Sequence, residues 1–158
     1  MFKKTGTWDA ISEAFGNMGN ECAYPGNPAA RIDIDMLDAV VGGKYKKNQG
    51  KGYRAFLNII YVFNLMKYMV QYAKYAPRIL ILDSPILSLK EKKIQLSEKE
   101  KATPGMRKSL FDYIIKNCGA NKVIIAGNEI PENIDYSAAN MIEFILEENR
   151  GRYGFLAS

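Results

Sequence analysis

Two short, continuous apolar runs constrain the fold of this chain more than any other feature of its sequence. RILIL, residues 78–82, and KVIIA, residues 122–126, have the length of strands and lack polar alternation. Such runs are typical of parallel strands that are covered on both faces. Because a helix is predicted between them, the sequence indicates an α/β fold with a mainly parallel sheet flanked by helices.

Two helices are predicted around these strands. Polar residues spaced by threes and fours predict a long, mostly buried helix over residues 53–75, which ends before Pro77. Thr103 as N-cap and Pro104 at the first position predict the start of a second helix, with Gly119 at its end. The buried face of this second helix is expected to comprise Met106, Leu110, Phe111, Ile114 and Ile115.

The remaining segments predict hairpins and loops. Residues 31–37 alternate like a half-buried strand, and the glycine pair at 42–43 predicts a turn into a neighbouring strand. Residues 1–30, rich in Gly, Asn and Pro, show no strong period, and residues 16–30 indicate a loop. Residues 141–146 and 152–157 predict a terminal antiparallel hairpin. We expect one domain over residues 1–158, with an irregular region over 1–43 and an α/β lobe over 44–158.

Composition excludes several kinds of chemistry. The 158 residues contain no histidine, which excludes histidine-based triads and His-ligated zinc sites. Two distant cysteines and no signal peptide indicate the cytoplasm. The polar residues of the long helix leave no apolar run of membrane-spanning length, so no membrane partner is expected. A net charge of +5 is compatible with phosphate or nucleic-acid contacts, but also with an ordinary solubilising surface.

The segment NQGKGYR, residues 48–54, could bind an anion at a helix start. Gly50, Lys51, Gly52 and Arg54 combine free backbone N–H groups, the helix dipole and positive charge. It is not a Walker A loop, because GxxxxGK[ST] requires a glycine where Tyr45 stands and a hydroxyl residue where Gly52 stands. A tight turn before a helix is the simpler alternative.

A second candidate is Asp83, directly after the RILIL run. A carboxylate at the exit of a buried strand can orient the waters of a nucleotide-bound Mg²⁺. The alternative is a turn residue before Pro85. Asn128 and Glu129 follow the KVIIA run and are expected beside Asp83, although such a pair can also simply cap the next segment.

Together these segments carry a family resemblance. QGKGYRAFLN, ILILDSPILSL and VIIAGNEIP, in that order, resemble the C-terminal lobe of an ABC-type ATPase head of the SMC-like, RecF/RecN-like branch, which includes bacterial ATPases with GKGYRAFLN and DSP segments. The likeness covers roughly residues 44 to 156. It implies that residues 48–54, Tyr53 among them, hold the signature position that touches nucleotide across a head–head interface. It also implies that Asp83 is the Walker B aspartate supporting Mg²⁺ through water.

Departures from the family pattern limit what the chain can do. Ser84 stands where the catalytic glutamate usually follows the Walker B aspartate, Lys90 replaces the D-loop aspartate, and Asn128 replaces the switch histidine. Ser84 cannot act as an equally good base. No Walker A loop occurs in the sequence, and phosphoryl transfer depends on that loop. We therefore expect no ATP hydrolysis and no tight nucleotide binding by this chain alone, with ATP and Mg²⁺ entering only a complete assembly.

The resemblance implies partners, and two other classes of function stay open. A Walker A lobe or a second ATPase head is expected, with a homodimer and DNA as further partners. The first alternative is a non-catalytic module that binds nucleic acid or protein, in which Asp83 is a turn residue. The second is a Mg²⁺-dependent phosphate enzyme that uses Asp83, Glu129 and Asp135, which are widely spaced in the sequence.

Overall fold

The computed structural model of the chain describes residues 6–24, 30–83, 105–127 and 130–145. Three helices, five strands and one 3₁₀ turn make up this described part. In chain order they are α1 (Gly6–Glu21), β1 (Arg31–Asp33), β2 (Asp38–Val41), β3 (Lys44–Tyr45), the 3₁₀ turn (Lys46–Asn48), α2 (Lys51–Tyr72), β4 (Ile79–Asp83), α3 (Met106–Asn117) and β5 (Lys122–Ala126). Among the described residues, no helix combines the length and apolar character needed to cross a membrane.

Helix α1 occupies part of the N-terminal region that we expected to be irregular, so that prediction is wrong for residues 6–21. Its buried residues Ile11, Phe15 and Met18, with Cys22 just beyond its end, are spaced by four, three and four. This spacing places them on one face of the helix, which packs on α2. Packing therefore overrides the low helix propensity of the glycines and asparagines in this stretch.

Strands β1, β2 and β3 form an antiparallel sheet in that order. The predicted strand over 31–37 ends early, because Oδ1 of Asp33 accepts hydrogen bonds from the backbone N–H groups of Asp35 and Met36. These bonds bend the chain, so Ile34 and Met36 are exposed rather than half-buried as predicted. The predicted turn at Gly42–Gly43 is confirmed, with both residues at positive φ.

Helix α2 is the central element of the core. It begins two residues before the predicted start and ends three residues before the predicted end. Ala73, at its C-cap, has an extended conformation. Its buried side chains join those of α1, α3 and the antiparallel sheet in one hydrophobic cluster. The buried polar residue Asn64 donates from Nδ2 to the carbonyl of Ile60 at 2.9 Å and contacts Sδ of Met18 at 3.2 Å.

Strands β4 and β5 form a parallel pair in which Ile81 lies opposite Ile124. Leu82 is buried, and its half-buried neighbours Leu80, Val123 and Ile125 pack against the core. The opposite face is exposed, which corrects the prediction that both strands are covered on both faces. A continuous apolar run shows that a strand can be buried, but it does not show how many of its faces are covered.

The expected single, mainly parallel sheet is also corrected. Within the described ranges the strands form two separate sheets, the antiparallel β1–β2–β3 and the parallel pair β4–β5. The α/β character of the prediction holds, since helices α2 and α3 alternate with β4 and β5 along the chain.

Helix α3 has the predicted buried face and end but a different start. Met106, Leu110, Phe111 and Ile114 are buried as expected, while Ile115 is half-buried. Gly105 holds the N-cap position of the described helix, and the predicted start at Thr103–Pro104 lies outside the described residues. The predicted stop at Gly119 is confirmed by its φ of +59°.

The described residues 130–143, after β5, contain no helix or strand. The hydroxyl of Tyr136 donates to the carbonyl of Pro131 at 2.9 Å, which ties the loop to itself. Residues 141–145 contain one bridge residue, Phe144. Because residues 152–157 lie outside the described ranges, the terminal hairpin stays a prediction.

Candidate functional site

The carboxyl end of the parallel pair holds the first candidate site. Asp83 is the last residue of β4, and the register places it opposite Ala126, the last residue of β5. The two strand exits therefore lie side by side, as the sequence predicted. Ser84 follows β4 directly, and Asn128 and Glu129 follow shortly after β5. All three lie outside the described residues.

The position of Asp83 suits a water-mediated metal contact. Its side chain is exposed at the strand exit, where ligands of open α/β sheets bind. A carboxylate is the type of oxygen ligand that Mg²⁺ and its hydration shell prefer. Among the described residues, no group of three or more His, Cys, Asp or Glu side chains could hold a metal ion.

The start of α2 is the second candidate site. Gly50 is the N-cap and supplies no side-chain cap, and the first turn of the helix contains no acidic residue. Lys51 and Arg54 are exposed there, whereas Gly52 and Tyr53 are buried. The helix dipole, two cationic side chains and a first turn without acidic residues make this end of α2 attractive to an anion.

Tyr53 has a packing role that the sequence did not reveal. Its ring meets the ring of Tyr24 edge to face at 5.4 Å, and burial raises its pKa. Tyr24 also stacks on Phe56 at 5.7 Å. Of the predicted nucleotide contacts 50–54, only Lys51 and Arg54 are exposed.

The segment before α2 is held in place by a polar network. The Tyr45 hydroxyl donates to Oδ2 of Asp33 at 2.8 Å, and this bond raises the pKa of Tyr45 while it lowers that of Asp33. Nζ of Lys46 lies 3.4 Å from Asp38 and 3.2 Å from Oδ1 of Asn58. Lys46 therefore fixes the 3₁₀ turn against α2.

Four cations remain exposed around this segment. They are Lys44, Lys47, Lys51 and Arg54, and residues 44–54 contain no Asp or Glu. Nζ of Lys47 lies 5.4 Å above the ring of Tyr45, while Lys46 is engaged as described. We call these four side chains the basic edge. It joins the candidate anion site at the start of α2, so the local field favours phosphate there.

The structure separates the two candidate sites along the chain. Lys51 is the first residue of the 22-residue helix α2, and Asp83 is the last residue of β4, which follows that helix in the chain. Asp135, from the alternative phosphate-enzyme hypothesis, lies in the loop after β5. Its Oδ1 accepts the backbone N–H of Ser137 at 2.9 Å, which lowers its pKa. This hydrogen bond shapes the loop, which gives Asp135 a structural role there.

The open face of the parallel pair is a feature that the sequence analysis missed. Ile79, Ile81 and Ile124 are 49%, 65% and 47% exposed, on the side opposite the core. Successive side chains of a strand point to opposite faces of the sheet, so these three residues share one face. Nothing within an all-apolar run signals which residues face outward, because both faces carry the same residue types.

Comparison with known proteins gives a match in structure alone. No protein-family model matches the chain, and no curated protein matches it significantly in sequence. The chain is similar to a solved SMC ATPase chain from work on the ATP-driven dimerization and DNA-stimulated activation of SMC ATPases. The two share 18% identity and a TM-score of 0.57, and the match covers 92% of this chain and 83% of the other. High coverage in both directions means that the two chains have similar lengths and the same fold, and this chain thus has an SMC ATPase-like fold.

Proposed function

We propose that this chain is the signature and Walker B lobe of an SMC-like ATP-binding head. In this role it needs a Walker A lobe, supplied in cis or in trans, before ATP can join two heads in the cytoplasm. One observation carries the proposal. A chain with the fold of an SMC ATPase places an aspartate at the carboxyl end of a parallel strand, beside the end of its neighbour.

Asp83 would serve the Mg²⁺ of the nucleotide in its own head. Its exposed carboxylate at the exit of β4 supports a contact through metal-bound water. Ser84 would then occupy the place of the usual base, and Asn128 would sense phosphate through its amide without taking a proton. Both departures predict slow hydrolysis even in the complete assembly.

The start of α2 would serve a nucleotide held by the partner head. Lys51 and Arg54 are exposed there and the first turn has no acidic side chain. In the ABC-type arrangement, the signature of one head meets the γ-phosphate bound by the other.

The first test of this proposal is genetic. A segment encoding GxxxxGK[ST], in frame with or adjacent to this reading frame, would supply the Walker A lobe. A neighbouring region that encodes only complete, unrelated proteins would count against the proposal.

The second test is biochemical and uses that lobe mixed with this chain. ATP with Mg²⁺ should drive association of the assembled heads in sedimentation velocity. The variants K51A and R54A should weaken this association roughly tenfold or more, since each removes a charge-assisted phosphate contact worth about 1.5–3 kcal/mol. Lys116→Ala, which removes an exposed cation at the end of α3, is the matched control and should have no effect.

The basic edge favours a second candidate, a non-catalytic module that binds nucleic acid. Lys44, Lys47, Lys51 and Arg54 are exposed in a segment without Asp or Glu. In this case binding to duplex DNA should weaken steeply with salt and should be lost in the double variant K44A/K47A. Under the ATPase proposal DNA is a client of the assembled heads, and the isolated chain should bind it weakly.

A further inference from the structure

The side chain of Lys46 is largely withdrawn from solvent. It is 21% exposed, and its Nζ lies 3.4 Å from Oδ1 of Asp38, whose side chain is 14% exposed. The same Nζ donates to Oδ1 of Asn58 at 3.2 Å and lies 5.7 Å from the ring centroid of Tyr61. This enclosed cation therefore differs from the four exposed cations of the basic edge.

The contacts of Lys46 join three elements beside the candidate anion site. Asp38 is the first residue of β2, Lys46 is the first residue of the 3₁₀ turn, and Asn58 lies in α2. Because Asn58 follows Arg54 by four residues, the two lie on one face of α2, one turn apart. The pair of Lys46 and Asp38 thus lies next to the turn of α2 that carries Arg54.

The charge of Asp38 opposes the binding of an anion at the start of α2. Residues 44–54 contain no Asp or Glu, but Asp38 brings a carboxylate to this segment through its contact with Lys46. An unpaired carboxylate lowers the positive potential around it, and solvent screens this effect less at partly buried positions. The ammonium group of Lys46 compensates the charge of Asp38 directly.

A second carboxylate that contacts this segment also has a cationic partner. Oδ2 of Asp33 accepts a hydrogen bond from the Tyr45 hydroxyl at 2.8 Å and lies 3.8 Å from Nη1 of Arg31. Each of these two carboxylates is therefore compensated by its own cation. The positive charge of the exposed side chains at the start of α2 is consequently left for a ligand.

We infer that Lys46 is a positioning residue for the nucleotide of the partner head, because it compensates Asp38 and so keeps the start of α2 attractive to the γ-phosphate. The inference rests on the proposed function, since it concerns the same anion site. Lys46 does not itself touch the nucleotide in this role. In its absence, Asp38 would compete with the phosphate for the guanidinium of Arg54, which lies one turn from Asn58.

Substitutions of Lys46 separate its charge from its hydrogen bonds. Lys46→Arg keeps the charge, Lys46→Gln keeps a donor without charge, and Lys46→Met keeps only the length of the side chain. The assay is the association of assembled heads with ATP and Mg²⁺ in sedimentation velocity. Lys46→Gln and Lys46→Met should weaken it about fivefold, as expected for an uncompensated charge about 10 Å from a doubly charged phosphate. Lys46→Arg should associate like wild type.

Removal of the carboxylate in the same variant distinguishes charge compensation from a structural tie. The double variant Lys46→Met/Asp38→Asn carries neither charge, and the asparagine retains the oxygen that accepts the Ala39 N–H at 2.9 Å. Association should return to the wild-type level, because no uncompensated charge remains. Equal weakening in Lys46→Met and in the double variant would overturn the inference, as would wild-type association in Lys46→Met or Lys46→Gln.

A second lysine–aspartate pair provides the matched control. Lys108 and Asp112 form an ion pair on α3, four residues apart. Lys108→Met and Lys108→Met/Asp112→Asn should both associate like wild type. Far-ultraviolet circular dichroism and thermal unfolding verify that each variant folds. If Lys46→Met does not fold, Lys46→Gln and Lys46→Gln/Asp38→Asn give the same comparison.

Pyrophosphate binding by the isolated chain makes the test independent of assembly. The amide resonances of residues 51–54 are followed by nuclear magnetic resonance during titration with pyrophosphate. The affinity should fall in Lys46→Met and return in Lys46→Met/Asp38→Asn. Equal affinity in wild type and both variants would overturn the inference.

The two proposals fail in distinguishable ways. If pyrophosphate affinity follows the charges of Lys46 and Asp38 but ATP does not join the heads, the charge compensation stands and the proposed function is wrong. If ATP joins the heads equally well in wild type, Lys46→Met and the double variant, the proposed function stands and the role of Lys46 is wrong.

Discussion

Neighbouring residues of β4 should respond very differently to truncation. Leu82 faces the core and is 8% exposed, whereas Ile81 faces away from it and is 65% exposed. We compare Leu82→Ala with Ile81→Ala in the isolated chain. The two residues are consecutive in one strand, so the comparison isolates the difference between the two faces of the sheet.

The expected magnitudes follow from burial. Removing a buried leucine costs about 2–5 kcal/mol, and the rim position of Leu82 puts it in the lower half of that range, at about 2–3 kcal/mol. Full burial of an isoleucine contributes about 1.5–3 kcal/mol. Ile81 buries roughly a third of its surface, so Ile81→Ala should cost at most about 1 kcal/mol. The difference in unfolding free energy should be about 2 kcal/mol.

Urea denaturation measures both variants with an internal probe. The chain contains a single tryptophan, Trp8, which packs against the hydrophobic core. Its fluorescence therefore reports loss of the core, and the midpoint and slope give the unfolding free energy. Ile81→Thr, which keeps the β-branched side chain, separates strand propensity from lost contacts.

Equal costs for the two alanine variants would refute the reasoning. A loss of 2 kcal/mol or more in Ile81→Ala would mean that the open face is covered within the isolated chain.

Three further predictions concern individual positions. Asn64→Asp should cost at least about 3 kcal/mol by placing a charge beside the Ile60 carbonyl, whereas Asn64→Leu should cost under about 1 kcal/mol; equal urea midpoints would contradict this. The pKa of Asp33 is lowered in the folded chain. Its contribution to stability is therefore present above the pKa that the carboxyl has in the unfolded chain, and it is lost as pH falls through the pKa in the folded chain. The stability difference between wild type and Asp33→Asn should therefore be constant near neutrality and change below about pH 4, and a difference independent of pH would contradict it. Gly119→Ala should cost about 1 kcal/mol, since its φ is +59° and a Cβ would meet no atom within 4 Å. Gly105→Ala, with φ of −93° and equally open space, should be neutral, and urea denaturation measures both glycine variants.

Sequence periodicity predicted the elements whose conformation is signalled by the pattern of their own residues. Helix α2 combines a stripe of polar residues with apolar positions on its other sides, and α3 combines a buried face with the glycine stop at Gly119. The KVIIA run matches β5 residue for residue. In each case the local pattern and the tertiary environment favour the same conformation.

The predictions failed where tertiary contacts decide the outcome. Phe15 and Met18 bury one face of α1 among glycines and asparagines, and composition alone favours a loop there. Asp33 ends β1 through its hydrogen bonds to the following backbone, although the apolar alternation continues to Met36. The exposed Ile81 and the buried Leu82 are chemically alike, so only the arrangement of neighbouring elements distinguishes them.

The sequence predicted where the residues of the candidate site lie along the elements, but not which of their side chains are buried. Asp83 lies at the end of β4, beside the end of β5, as expected from parallel strands. Burial of Tyr53 against Tyr24 could not be inferred, because Tyr24 is distant in sequence and belongs to a segment predicted as loop.

Turnover of ATP by the purified chain tests the central claim most directly. Phosphate release is measured with Mg²⁺ for the chain alone and for the chain mixed with a Walker A lobe. We predict no turnover by the chain alone, turnover by the mixture, and a loss of roughly 10–100-fold in Asp83→Ala, as expected when an outer-shell metal partner is removed. Asp35→Ala, which changes an exposed aspartate in the β1–β2 turn, should leave the rate of the mixture unchanged. Turnover by the isolated chain that disappears in Asp83→Ala would contradict the account, because this chain would then contain a complete active site.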